Sequence, residues 1–168
     1  MPRVNSLQGS WQSQKALLLV ALLVLAADQL SKLWVRANLD VWGKSLPQEG
    51  ILRLTHVQNE GIIFGLSAHQ AVPLILTIVV VAAAFLLHYR YAPFHSGLIK
   101  IALGLFIGGS LGNLVDRIRL GYVTDFVDIR LWGDFHWPVF NLADSAMVIG
   151  IILFVYFLLR LKISPKHG

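Results

Sequence analysis

Residues 112 to 145 read GNLVDRIRLGYVTDFVDIRLWGDFHWPVFNLADS, and they connect two apolar segments that are each long enough to cross a bilayer. Asp125 and Asp144 lie at the inner edges of strongly apolar runs. Because ionisable groups at membrane depth are costly, such groups are interpreted as functional by default. The stretch holds five of the nine carboxylates of the chain: Asp116, Asp125, Asp128, Asp134 and Asp144.

The composition is that of a membrane protein. Of the 168 residues, 56% are hydrophobic and only 14% are charged, which is typical of a single integral membrane domain over residues 1–168 with room for about four spans. The net charge is +5, but the basic residues flank apolar segments, so they indicate topology anchoring and not nucleic-acid binding. The chain has no Cys, which excludes disulfides, thiol nucleophiles and thiolate zinc sites.

Apolar runs predict four transmembrane helices, at about residues 16–34, 71–87, 98–115 and 143–159. A cleaved signal peptide is the alternative for the first run, and the helical spacing of Asp28 and Lys32 just after it argues against that alternative. The third run has a glycine at every fourth position, which predicts close helix packing.

The fold class predicted is a mainly α membrane protein with a small extracytoplasmic β-sheet and both termini cytoplasmic. Four spans place the termini on one side, where the Lys and Arg residues are denser, and this density favours the cytoplasm. The extracytoplasmic segments are then about 36–70 and 116–142. They contain runs rich in β-branched and aromatic residues that predict strands at 51–57, 122–129 and 135–140, the last two flanking a hairpin turn.

This topology brings several polar side chains to the outer leaflet, and the hairpin would bring Asp125 towards Asp144. Two carboxylates at an apolar boundary cannot both stay ionised cheaply, so one holds a proton and the other does not. An aspartic hydrolase uses this arrangement to activate water and polarise a carbonyl. A proton or ion pathway, and structural pairing with Arg117, Arg119 or Lys32, remain open, as does which Asp holds the proton.

Other polar residues have spacings that suit a supporting role. Asp28 and Lys32 are four residues apart and can pair on one helix face, and Asn113 and Arg117 repeat that spacing. Asn141 can cap the fourth helix.

Other chemistries find little in the sequence. It has no HExxH motif, P-loop or G-x-S-x-G elbow, and a metal site on His56 and His136 is disfavoured. The Trp residues at 34, 42, 132 and 137 are typical of an interfacial belt, with substrate stacking as an alternative role.

Five motifs in order resemble those of the bacterial lipoprotein signal peptidases, the signal peptidase II family. They are Asp28-Gln-Leu-Ser-Lys32, Asn59-x-Gly61 with Phe64-Gly65, Gly112-Asn-Leu-Val-Asp-Arg117, Gly121-Tyr-Val-Thr-Asp-Phe126 and Phe140-Asn-Leu-Ala-Asp-Ser145. Each motif alone is weak, but five in the same order and spacing are highly specific. The sequence departs from the family at Ile62-Ile63, where small residues are usual.

The resemblance implies a multi-pass aspartic endopeptidase of the bacterial inner membrane, with its active site toward the extracytoplasmic face and no cofactor or metal. Its substrate would be a prolipoprotein with diacylglyceryl on the lipobox Cys, cut just before that Cys, and its ligands would include membrane lipid and cyclic-peptide inhibitors of the globomycin type. The catalytic pair would be Asp125 and Asp144. The residues that would line or brace the site are Asp28, Lys32, Asn59, Gly61, Asn113, Arg117 and Asn141.

Two other functions are weighed against this one. A small proton-coupled transporter would use Asp28, Asp125 and Asp144 as a relay, but a relay places acids at several depths and the middles of the second and fourth spans have none. A scaffold would tolerate replacement of these acids by Asn.

Overall fold

The computed structural model describes residues 4–63, 66–67, 97–133 and 135–163. The span predicted at 71–87 lies outside these residues. The elements in chain order are α1 (Val4–Asn38), β1 (Leu52–Asn59), β2 (Ile62–Ile63), β3 (Leu66–Ser67), α2 (Gly97–Leu120), β4 (Val123–Trp132), β5 (Phe135–His136) and α3 (Leu142–Ile163). The fold is mainly helical with a small antiparallel sheet.

Two stretches of helix, Lys15–Asn38 and Gly97–Leu120, are long and apolar enough to cross a membrane, and α3 contains a shorter apolar stretch. Helix α1 is longer than the predicted 16–34 in both directions. It extends to Asn38 because Val35, in its last turns, and the following Leu39 are buried against Phe126 of the sheet. This apolar burial stabilises the additional helical residues.

Glycines let α2 pack between α1 and α3 at backbone distance, as the sequence predicted. A Cβ atom on Gly108 would lie 2.6 Å from the carbonyl oxygen of Ala21 in α1, and one on Gly104 would lie 2.8 Å from the carbonyl oxygen of Leu17 in the same helix. On the α3 side, a Cβ on Gly150 would lie 2.7 Å from the carbonyl oxygen of Ala102. Helix α2 is therefore the central helix of the three.

The sheet has the strand order β1-β4-β5, and both pairings are antiparallel. The predicted strands are present, although the one predicted at 135–140 is regular only over β5. Pro138 lacks a backbone N–H and cannot continue the ladder, and Phe140 forms only an isolated bridge with Val127. The predicted hairpin turn is present, with Gly133 at a positive φ of 53°. Strands β2 and β3 form a separate small pair.

The connection from α2 to β4 places the sheet at the ends of the helices. Gly121 has a φ of 84° and its N–H donates to the carbonyl of Arg117, which ends α2 in the manner of a glycine C-cap. Strand β4 begins two residues later, and Phe140 bonds back to it just before α3 starts. The ends of α1 and α2, the start of α3 and strand β4 therefore converge in one place.

Candidate active site

A buried ion pair on α1 forms the base of the site. The Lys32 Nζ atom lies 2.8 Å from Asp28 Oδ2, and neither side chain is exposed to solvent. The same Nζ donates to Asn113 Oδ1 at 2.9 Å and lies 3.3 Å from Asp116 Oδ2, both on α2. An ammonium group has three N–H donors, so these three contacts satisfy Lys32 fully, as burial of a charge requires.

The second carboxylate oxygen of Asp28 reaches α3. Asp28 Oδ1 accepts a hydrogen bond of 3.0 Å from the backbone N–H of Ala143, in the first turn of that helix. Gly112 of α2 lies directly against Asp28 Oδ2, where any side chain would collide with the carboxylate. Asp28 therefore holds α1, α2 and α3 in register at the level of the site.

Asp144 and Asn141 cap the start of α3 reciprocally. The Asp144 N–H donates to Asn141 Oδ1 at 3.0 Å, and the Asn141 N–H donates to Asp144 Oδ2 at 3.1 Å, which is the geometry of a capping box. The remaining oxygen, Asp144 Oδ1, accepts a 2.7 Å hydrogen bond from Asn113 Nδ2. The Asp144 carboxylate is therefore held by two hydrogen bonds at the N-terminus of α3.

Asp125 is presented by β4, with 2% of its surface exposed. Its Oδ1 accepts a hydrogen bond of 2.6 Å from Asn141 Nδ2, and its Oδ2 accepts one of 2.8 Å from Asn59 Nδ2. The orientation of the Asn59 amide is fixed because its oxygen accepts from the N–H of Gly61 at 3.0 Å, and Gly61 takes a positive φ of 92°.

Burial, and then the nearby charge of Asp144, raise the pKa of Asp125 to about 7. The hydrogen bonds from Asn59 and Asn141 oppose this shift in pKa without cancelling it. Asp125 can therefore hold a proton near neutral pH.

Asn141 contacts both carboxyl groups. It donates from its side chain to Asp125 and exchanges two hydrogen bonds with Asp144, and the same side chain donates to Asn113 Oδ1 at 3.1 Å. Because two nearby carboxylates repel each other, ionisation of both is unfavourable, and the pair retains one proton. Such a pair can polarise a carbonyl oxygen with one member and take a proton from water with the other.

The structure brings together the residues that the sequence singled out. Eight of the nine form a connected set of hydrogen bonds through their side chains or, for Gly61, the backbone: Asp28, Lys32, Asn59, Gly61, Asn113, Asp125, Asn141 and Asp144. The ninth, Arg117, is half-buried, and its guanidinium interacts electrostatically with Asp144, Asp125 and Asp116.

Asp116 is a member of this cluster to which the sequence assigned no role. It is 1% exposed. Its Oδ2 accepts the backbone N–H of Thr124 at 3.0 Å, which ties β4 to α2, and its Oδ1 accepts from Gln29 at 3.2 Å. The signal that could have revealed it is an acid three residues after Asn113 on the face of an apolar helix.

The two histidines considered as metal ligands have other partners. His56 Nδ1 contacts the carbonyl oxygen of Leu39 at 2.9 Å, and His136 Nδ1 lies 2.7 Å from Asp128 Oδ1, an acid that also pairs with Arg53. Within residues 4–63, 66–67, 97–133 and 135–163, no three acidic or histidine side chains are grouped to hold a metal ion.

A cavity of about 550 Å³ lies beside Asp125, which is one of its lining residues. It is bounded by the end of β1, by the segment before α3 and by one residue from the turn after α1. The lining residues are Trp42, Val57, Gln58, Asn59, Glu60, Asp125, Pro138 and Val139.

Comparison with known proteins matches nearly the whole chain. The family model described as signal peptidase (SPase) II matches residues 20–160, a range that includes every site residue above. The lipoprotein signal peptidase of Moorella thermoacetica is 48% identical over 143 residues, covering 84% of this chain and 91% of that protein. The corresponding protein of Halothermothrix orenii is 45% identical over 141 residues, covering 83% and 92%.

Solved structures show the same likeness. A bacterial membrane enzyme determined by the in meso method at 2.3 Å resolution has a TM-score of 0.76 and 29% identity, over 90% of this chain and 92% of that one. A second, at 1.9 Å, has a TM-score of 0.73 and 30% identity, over 85% and 92%.

Proposed function

The chain belongs to the signal peptidase II family, and we propose that it is an aspartic endopeptidase that removes the signal peptide from diacylglyceryl-modified prolipoproteins. The cut falls just before the lipid-modified Cys. The observation that carries this proposal is the pairing of Asp125 and Asp144 through Asn141, in a site where one of the two carboxyl groups holds a proton near pH 7.

The two carboxyl groups have different roles in this mechanism. Asp125 is protonated and donates to the oxygen of the scissile carbonyl, because burial and the charge of Asp144 raise the pKa of Asp125 to about 7. Asp144 is the other member of the pair and takes the part of the base in this mechanism, with its carboxylate oxygens held by hydrogen bonds from Asn113 and Asn141. Asp144 takes a proton from water, and the hydroxide oxygen forms a bond with the carbonyl carbon.

Collapse of the tetrahedral intermediate completes the reaction. The C–N bond breaks as Asp144 returns its proton to the amine of the lipid-modified Cys, and one hydroxyl of the intermediate returns a proton to Asp125. The products are a signal peptide with a new carboxyl terminus and a lipoprotein with a free amino terminus. Both carboxyl groups end in their starting protonation states, so the site is ready for another turnover.

We also propose that the chain crosses the inner membrane four times, with both termini in the cytoplasm and the site toward the outside. The support is that the polar side chains lie near one end of each helix: Asp28 and Lys32 in the later part of α1, Asn113 and Asp116 near the end of α2, and Asp144 in the first turn of α3. In this arrangement the acyl chains of the substrate stay in lipid, and water reaches Asp125 from the sheet.

The test is cleavage of a lipidated precursor by purified protein in detergent, followed as a shift of the product band. We expect Asp125→Asn and Asp144→Asn each to abolish cleavage while the protein still accumulates in the membrane. Asp40→Asn, which changes an exposed acid of the same outer segment, is the matched control and should cleave normally. Full activity in either of the first two variants would refute the pair, and a transporter or scaffold would show no cleavage at all.

A further inference from the structure

Resting on the proposed function, we propose that the cavity beside Asp125 binds a lysine or arginine side chain just after the lipid-modified Cys of the substrate. The Trp42 ring and the Glu60 carboxylate recognise this cationic side chain. Both residues line the cavity, and neither belongs to the hydrogen-bonded cluster around the two carboxyl groups. They make the cavity a subsite for a basic side chain in the mature part of the lipoprotein.

Trp42 is held at the cavity by an unusual backbone conformation. Its φ is 56°, a left-handed value that is a genuine outlier for a bulky residue. Two hydrogen bonds fix the turn, from the Trp42 N–H to the carbonyl of His56 at 2.9 Å and from the Gly43 N–H to the carbonyl of Asp40 at 3.0 Å. Trp42 is nevertheless 69% exposed, so burial of this residue in the fold does not explain the turn. Strain of this kind is found where a side chain serves binding.

Glu60 supplies a negative charge at the same cavity. It directly follows Asn59, which holds Asp125, and its side chain is exposed. In the part of the chain that the structure describes, no basic side chain pairs with Glu60. The carboxylate is therefore available to a cation from outside the chain.

An aromatic residue and a carboxylate that no described basic side chain pairs with favour the same kind of ligand at one cavity. A Lys or Arg side chain can place its charge over an indole ring and near a carboxylate, whereas an acidic side chain would be repelled by Glu60 and by the ionised member of the catalytic pair.

The location of the cavity indicates which part of the substrate reaches it. The cavity is bounded by β1 and by the segment before α3, both beyond the ends of the apolar helices. Under the proposed function the signal peptide and the acyl chains occupy the level of those helices, so we expect the residues after the Cys to be the ones that cross the cavity.

Three lipidated precursors test this subsite, identical except for the second and third residues after the Cys, which are Lys-Lys, Ser-Ser or Glu-Glu. The full-length protein in detergent should cleave the Lys precursor with a kcat/KM about tenfold above that of the Glu precursor, the order that one exposed ion pair and one exposed cation–π contact give together. The ratio should fall between about 50 mM and about 500 mM salt, because exposed charges are screened.

Variants assign the preference to the two residues. Glu60→Gln should reduce the Lys-to-Glu ratio to about threefold, and Glu60→Lys should bring it to one or below. Trp42→Asn removes the ring with a residue that tolerates a left-handed backbone, and it should also lower the ratio. Glu49→Gln changes an exposed acid outside the cavity and should leave the ratio unchanged.

The outcomes separate this inference from the proposed function. Equal kcat/KM values for the three precursors, or a ratio that Glu60→Gln does not change, would overturn the subsite while the endopeptidase stands. Cleavage of none of the three by the unaltered protein would overturn the proposed function, and the subsite with it.

Discussion

Replacing Asp125 with Asn should inactivate the protein and make it more stable above neutral pH. Raising the pKa of Asp125 from 3.8 to about 7 corresponds to a destabilisation of about 4 kcal/mol when the group is ionised, at roughly 1.4 kcal/mol per pH unit. An Asn side chain removes that term, but its amide N–H₂ then faces the amide donor of Asn59 or Asn141, a conflict that costs about 2 kcal/mol. The net gain at pH 8 is about 2 kcal/mol.

The sign of the pH dependence follows from the raised pKa of Asp125. The folded protein holds this proton more tightly than the unfolded chain, so the associated stability is fully present below pH 3.8 and is lost as the pH rises to about 7. The variant lacks this slope. Its stability advantage should therefore be greatest above pH 7, shrink on acidification and change sign near pH 5, where the pKa-linked term of roughly 1.4 kcal/mol per pH unit above pH 3.8 equals the amide conflict of about 2 kcal/mol. Below about pH 4 only the amide conflict remains.

The assay is the apparent Tm of full-length protein in detergent, followed by Trp fluorescence from pH 4 to 8. A gain of about 2 kcal/mol corresponds to a rise of about 4–8 °C for a chain of this size. Asp128→Asn is the matched contrast, because Asp128 is buried on the same strand but pairs with Arg53 at 2.6 Å and His136 at 2.7 Å, so its replacement should lower the Tm. A lower Tm for Asp125→Asn at pH 8, or a pH profile parallel to that of the unaltered protein, would refute the reasoning.

Three further outcomes follow from the same geometry. Because Asp125 has to carry its proton and its pKa is raised to about 7, kcat should fall tenfold per pH unit above about pH 7, and a flat profile from pH 6 to 9 would contradict that role. Lys32→Met leaves the buried Asp28 carboxylate without its ion-pair partner, and a thermal melt should show a destabilisation of about 3–5 kcal/mol. The double variant Lys32→Met with Asp28→Asn should be destabilised less. Gly112→Ala places a methyl group against Asp28 and should lower both activity and apparent Tm. Gly97→Ala should change neither, because among the described residues no atom lies within 4 Å of a Cβ added at Gly97.

Local patterns in the sequence were sufficient for most of the secondary structure. Strands β1 and β4 were predictable because β-branched and aromatic runs bounded by turn residues indicate strands, and the turn at Gly133 joins two such runs. The glycine spacing of α2 predicted close helix packing but not which helices would be its partners; the structure shows that they are α1 and α3.

The sequence predicted which residues form the site better than it predicted the contacts between them. The pair Asp28–Lys32 follows from helical spacing alone, and their contact is 2.8 Å. The spacing from Asn113 places Asp116 near the same helix face, but it does not show the partners Gln29 and Thr124, which come from α1 and β4. The contact with Gln29 spans 87 residues. The cavity residue Glu60 escaped for a related reason, since only the folded sheet shows which exposed acids face Asp125.

The capping box of α3 gives Asp144 two duties that alternate during turnover. As a carboxylate, Asp144 caps the first turn of α3 by accepting hydrogen bonds from Asn141 and Asn113. Once it has accepted a proton from water, its oxygens attract these N–H groups less strongly. The hydrogen bonding of that first turn is thus weakest between nucleophilic attack and departure of the amine. The first turn of α3 is therefore least rigid during the steps in which Asp144 is protonated and takes part in the reaction.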